Sequence, residues 1–163
     1  MKIILLSLVI LFISCKQNSI SSNLEESNEL THLSKRLLSQ RKLDSAELVL
    51  RKALSLDDGN YEAYNNLAFL KNQRGEVSTE IIKFYEKALS IKPDYDVSIY
   101  SLGNYYHSIE DYENAIVWLT KIIELPIKKE ISYEQIQHAY LLRGECYKYL
   151  WRFEEAVQDL RNH

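Results

Sequence analysis

The sequence predicts an all-α chain built from about four antiparallel helix pairs stacked one on another. Three observations carry this. A small residue recurs as Ser34, Ala68, Gly103 and Gly144, at spacings of 34, 35 and 41, and two further sets keep step with it. These are Ala46, Ile81, Ala115 and Ala156, and Leu50, Tyr85, Leu119 and Leu160. Within each period the apolar residues fall at i, i+3, i+4 and i+7, one face of a helix. The breakers, four Gly and two Pro in 163 residues, sit only in turns or at helix crossings. Such economy leaves short connections between helices and no strand signals.

The clearest copy of the unit lies between Asp96 and Pro126. It reads Ile99-x2-Leu102-Gly103-x2-Tyr106, then Ala115-x3-Leu119, then Pro126. This resembles the tetratricopeptide repeat, a helix-turn-helix unit of about 34 residues with the pattern W-x2-L-G-x2-Y…A-x3-F…P. The copy departs from it at Ile99 and Leu119, which replace Trp and Phe, and at Pro126, which arrives one residue early. The tyrosine position repeats as Leu37, Lys71, Tyr106 and Tyr147. The resemblance implies a superhelical solenoid whose concave face, lined by the first helix of each unit, docks protein partners.

Residues 1–14 stand apart. Lys2 precedes an apolar run from Ile3 to Ile13 and then Ser14-Cys15, too short a run to span a bilayer. A positive start, an apolar core and a small residue form an export signal. The cysteine makes the segment resemble a bacterial lipoprotein signal, which implies lipidation of Cys15. A signal cleaved nearby, or an uncleaved anchor, is the alternative. Residues 15–26 are Ser- and Asn-rich without periodicity and read as a flexible tether. Lys16 after the cysteine favours, by the same resemblance, the outer membrane facing the periplasm.

The repeat domain then covers 27–163. In the first unit, about 27–60, Leu30, Leu33, Leu37 and Leu38 form a stripe and Asp44 is a candidate N-cap for the second helix. Asp57-Asp58-Gly59-Asn60 is a turn. The second unit, about 61–95, has one extra residue in its internal turn around Gly75, and Asp94 and Asp96 are candidate caps for the first helix of the third unit. That third unit spans about 96–130. In the fourth, about 131–163, Ser132-Tyr133-Glu134-Gln135 is a capping-box pattern, and the spacing predicts a first helix about two turns longer than the others. Its second helix starts near Phe153, with no further helix after it to cover its apolar side.

Composition narrows the function. Net charge is −3 with both signs interspersed and no basic stripe, which argues against nucleic acid. His32, His107, His138 and His163 lack the partners a metal site requires, and His138 with Glu134 reads as a surface polar pair. Cys146 reads as a buried small hydrophobe, and Tyr64, Tyr106, Tyr140 and Tyr147 as core anchors. No phosphate loop, nucleophile elbow or catalytic carboxylate pair is present, so no cofactor, no small-molecule substrate and no enzymatic activity are expected.

What remains is surface. One step around the first helices from the core lie Thr31, Lys35 and Leu38, then Asn65, Phe69 and Asn72, then Tyr100, Asn104 and His107, then Leu141, Glu145 and Lys148. Asparagine amides can pair with a peptide backbone, and Phe69 and Tyr100 can take apolar side chains. Asn65, Phe69, Asn72, Tyr100, Asn104 and His107 are therefore the expected partner-binding residues. Lys35 and Asn66 match part of the clamp with which some tetratricopeptide proteins grip chaperone C-termini, but Val97 and Ser101 stand where its later cations belong. The expected function is a lipid-anchored, non-catalytic interaction module of the bacterial envelope. The alternative is an accessory subunit of an outer-membrane assembly or cell-wall remodelling complex, bound through the surface from Trp151 onward.

Overall fold

The computed structural model describes residues 2–126 and 130–162, with side chains from Ser19 onward. The side chains of residues 1–14 and of Cys15, read above as signal and lipidation site, lie outside the described residues, as does His163. Eight helices run in order: α1 (Lys2–Ser39), α2 (Leu43–Leu56), α3 (Tyr61–Gln73), α4 (Thr79–Ile91), α5 (Asp96–Ser108), α6 (Tyr112–Glu124), α7 (Tyr133–Tyr149) and α8 (Phe153–Asn162). Odd-numbered helices are the first members of the four pairs, and no strand occurs among the described residues. None of the helices, over those residues, is long and apolar enough to cross a membrane.

The turn inside each pair is built the same way four times. Arg41, Gly75, Glu110 and Trp151 each take a left-handed conformation, with φ of 56°, 74°, 63° and 61°. Each donates its N–H three residues back, and the next residue donates five back, as Arg41 to Leu38, Lys42 to Leu37, Trp151 to Lys148 and Arg152 to Tyr147. This is the Schellman motif, which satisfies helix-end carbonyls and normally prefers glycine at the left-handed position. Only the second unit has it.

Several helix starts differ from the sequence reading. The N-cap of α2 is Lys42; Asp44 lies in the first turn and pairs with Arg74 instead. Asp96 is the first residue of α5, and its Oδ2 accepts from the N–H of Glu130 at 2.9 Å and of Ile131 at 3.3 Å. Its carboxylate thus holds the approach to α7. Ser132 forms the capping box with Gln135 as expected. At 17 residues against 13 in α5, α7 is about one turn longer rather than two. Residues 19–26, read as an irregular tether, are helical, and no Gly or Pro before Gly59 interrupts α1.

The pairs share a continuous interior. Ala46, Leu50, Ala53, Ala63, Leu67 and Leu70 close the space between α1, α2 and α3. A second cluster runs through α3 to α7 around Tyr85, Ile99, Leu102, Leu119 and Ile122, and Phe84 touches both. At Gly103 the pair α5–α6 comes so close that an added Cβ would lie 3.0 Å from Leu119 Cγ and 3.2 Å from its backbone nitrogen. The tyrosines read as core anchors are only half-buried; the buried ones are Tyr85, Tyr95 and Tyr105. The Tyr105 hydroxyl donates to the Ser78 carbonyl and accepts from the Ser78 N–H, both at 3.1 Å, tying α5 to the start of α4.

Candidate functional site

Because α1, α3 and α5 run side by side, the faces they leave uncovered by the second helices form one groove of about 650 Å³. Five of the six expected binding residues line it: Asn65, Phe69, Asn72, Tyr100 and Asn104. Lys35 and Leu38 on α1 and Arg41 in the turn after it form one wall, Val97 and Ser101 stand on α5, and Glu130 and Gln135 bound it around the start of α7. Phe69 is 39% exposed and is the groove's open apolar surface. Asn72 is exposed, while Tyr100 and Asn104 are half-buried.

His107 lies elsewhere. Its Nε2 is 3.1 Å from Glu145 Oε2 but has no hydrogen-bond partner among the described residues, and its ring stands edge-on to Tyr112. It lies between α5 and α7, outside the residues that line the groove.

Asn65 is not a free amide either. It is 5% exposed, accepts from Ser98 Oγ at 2.9 Å and reaches Asn66 Oδ1 at 3.4 Å. Asn66 in turn donates to Ser34 Oγ at 3.3 Å, so a polar chain crosses α1, α3 and α5 under the groove. A buried amide needs such partners, because leaving it unpaired costs about 1–3 kcal/mol. The sequence showed an exposed-looking pair of asparagines; it could not show that two serines a repeat away would occupy them.

The electrostatics are similarly settled inside the protein. Lys35 Nζ lies 2.5 Å from Glu62 Oε2, so the partial match to a chaperone clamp is taken up by a neighbour. The Tyr100 hydroxyl is 2.8 Å from His138 Nδ1, and burial pushes its pKa up. This also corrects the partner of His138, which is Tyr100 and not Glu134. Burial raises the Tyr85 hydroxyl on the groove floor further, so it stays a neutral hydrogen-bonding group. The groove thus offers hydrogen bonds, an apolar ring and little chemistry. Among the described residues no three His, Cys, Asp or Glu side chains converge as a metal site requires.

Sequence reading missed Arg41 and Gln73, which lie at the groove's edge by the first two turns. The signal was available in the repeat spacing, since Arg41 stands at the position of Gly75 one unit earlier.

Comparison with known proteins agrees with this architecture. A family model of the tetratricopeptide repeat matches residues 98–126, the copy around Gly103. No curated protein matches the sequence. Among solved structures, PilF of Pseudomonas aeruginosa superposes with a TM-score of 0.74 at 18% identity, over 86% of this chain and 61% of that one. MamA gives 0.72 at 22% identity, over 89% and 80%. PilW, described as a widely conserved type IV pilus biogenesis factor, gives 0.71 at 22%, over 83% and 60%. The chain therefore spans about three-fifths of the PilF and PilW structures, and at these identities the likeness is one of fold. The described chain is an all-α solenoid of the tetratricopeptide type, with the family's pattern clearest in its third unit.

Proposed function

We propose that this chain is a non-catalytic interaction module that docks a peptide segment of a partner protein in the groove between α1, α3 and α5. The observation that carries the reading is the convergence of Phe69, Asn72, Tyr100 and Asn104, from two different units, on one concave surface. An open ring flanked by amides suits an extended segment, whose backbone amides need hydrogen bonds while alternate side chains need apolar cover. The reading extends to a lipid anchor at Cys15 that holds the module at the bacterial envelope, facing the periplasm. It rests there on Lys2, the apolar run Ile3–Ile13 and Ser14-Cys15.

A second reading, an accessory subunit of an envelope assembly, is favoured by a different patch. Trp151 is 80% exposed and packs edge-on against Phe153, itself 54% exposed, and Val157 and Leu160 of α8 are also exposed. The likeness to PilW, a pilus biogenesis factor by description, points the same way.

Photocrosslinkers placed singly at Asn72, Asn104 and Trp151 in the intact protein, in its own membranes, separate the two. Groove docking gives one partner captured from Asn72 and Asn104 and lost on Phe69→Ala. Capture from Trp151 alone overturns groove docking in favour of the second reading. A Cys15→Ser protein that stays membrane-bound at the same processed size removes the lipid anchor.

A further inference from the structure

We infer that the groove selects an extended segment bearing a carboxylate side chain, and that Arg41 is the residue that selects it. This rests on the docking reading above and adds the charge of the ligand. Among the described residues three charged side chains line the groove: Lys35, Arg41 and Glu130. Lys35 is paired with Glu62, and Glu130 Oε1 lies 3.5 Å from Lys92 Nζ. Arg41 is exposed and has no carboxylate within ion-pair distance among the described residues. Among the described residues the one uncompensated charge on this surface is therefore positive, on a chain whose net charge is −3.

The surroundings of Arg41 fit that ligand. Its guanidinium offers paired donors matched to a carboxylate. Asn72 and Gln73, both exposed, line the groove with it, and Phe69 lies one helical turn before Gln73 on α3. A carboxylate on Arg41, backbone on the two amides and an apolar side chain on Phe69 would occupy these groups together.

The fold does not demand a cation at this point. A positive group at a helix C-terminus is favourable in general. Yet the same left-handed position, with the same backbone hydrogen bonds, holds Gly75, Glu110 and Trp151 in the other units. Glu110 shows that an acid is accommodated there, so the charge at residue 41 is free to serve the groove.

That equivalence supplies the test. The full chain and its Arg41→Glu and Phe69→Ala variants are bound to an array of random 12-residue peptides at low salt, with thermal melts confirming the fold of each. The expected result is an excess of Asp and Glu in the peptides bound by the parent chain. Arg41→Glu should turn it into an excess of Lys and Arg, with individual affinities changing about fivefold, the upper range for an exposed ion pair. Binding that depends on Phe69 but shows no acid preference, or an acid preference that survives Arg41→Glu, overturns the inference and leaves groove docking standing. Absence of any Phe69-dependent binding overturns both.

Discussion

Arg143 grips Asp159 through two parallel hydrogen bonds, Nε to Oδ2 at 2.7 Å and Nη2 to Oδ1 at 2.6 Å. Its remaining nitrogen donates to Thr120 Oγ1 at 2.9 Å, so one side chain joins α7 to α8 and to α6. Asp159 is 2% exposed, and Ala156 is the one apolar side chain that α8 buries. The pair is therefore a main fastening of α8. Removing one charge strands the other, which in buried pairs costs about 3 kcal/mol or more. Asp159→Asn should loosen α8 by that amount while the first three pairs hold. Hydrogen exchange of the α8 amides, compared with those of α4, reads the difference; equal protection in variant and parent would refute it.

The two crossing glycines should respond oppositely to alanine. At Gly103 the new methyl meets Leu119 Cγ and Cδ2 at 3.0 Å and cannot escape the Leu119 backbone at 3.2 Å. Overpacking of this kind costs about 1–3 kcal/mol. At Gly144 the nearest atom is Asp159 Cβ at 3.4 Å, an ordinary contact. There the helix gains from losing glycine, by up to about 1 kcal/mol. Denaturant midpoints of Gly103→Ala and Gly144→Ala should shift in opposite directions.

The turns allow a second paired comparison. Gly75 has open space around its Cα but φ of +74°, so Gly75→Ala is strained without any clash. The expected loss is about 1 kcal/mol. Glu110 holds the same conformation in the third unit with no ion pair among the described residues, and Glu110→Gly should relieve a similar strain. Part of that gain is offset by the larger entropy of an unfolded chain with glycine. Thermal melts of the two variants check the signs.

Much of this architecture was legible because the repeat constrains it. Gly103, Ala115 and Leu119 announce a helix pair through spacing alone, and Ser132 with Gln135 announces the start of α7. What escaped reading depended on contacts between units. Asp96 looks like a helix cap and instead holds the backbone of Glu130 and Ile131, 34 and 35 residues away. Asn65 looks like a ligand-facing amide and is bound to Ser98, 33 residues away. Helical periodicity tells which face a residue is on, but not which polar neighbour the next unit brings to it. Phe69 and Asn72 keep the exposure that periodicity alone suggests, and both line the groove.

Cys146 gives a prediction that depends on pH. It is fully buried on α7, and burial, with the nearby Glu145 charge, pushes its thiol up to about 12. The thiolate is the nucleophile, so the native protein should resist alkylation even at mildly alkaline pH. A Cys15→Ser chain, which leaves Cys146 as the one thiol, should react with iodoacetamide at the rate at which α7 opens. The linkage has a definite sign. The folded state keeps its proton where the unfolded thiol, near 9, has lost it. Stability from this group is full below about pH 9 and falls as pH rises toward the folded value. Cys146→Ala should flatten that part of the decline, and an unchanged slope between pH 9 and 11 would show that other groups cause it.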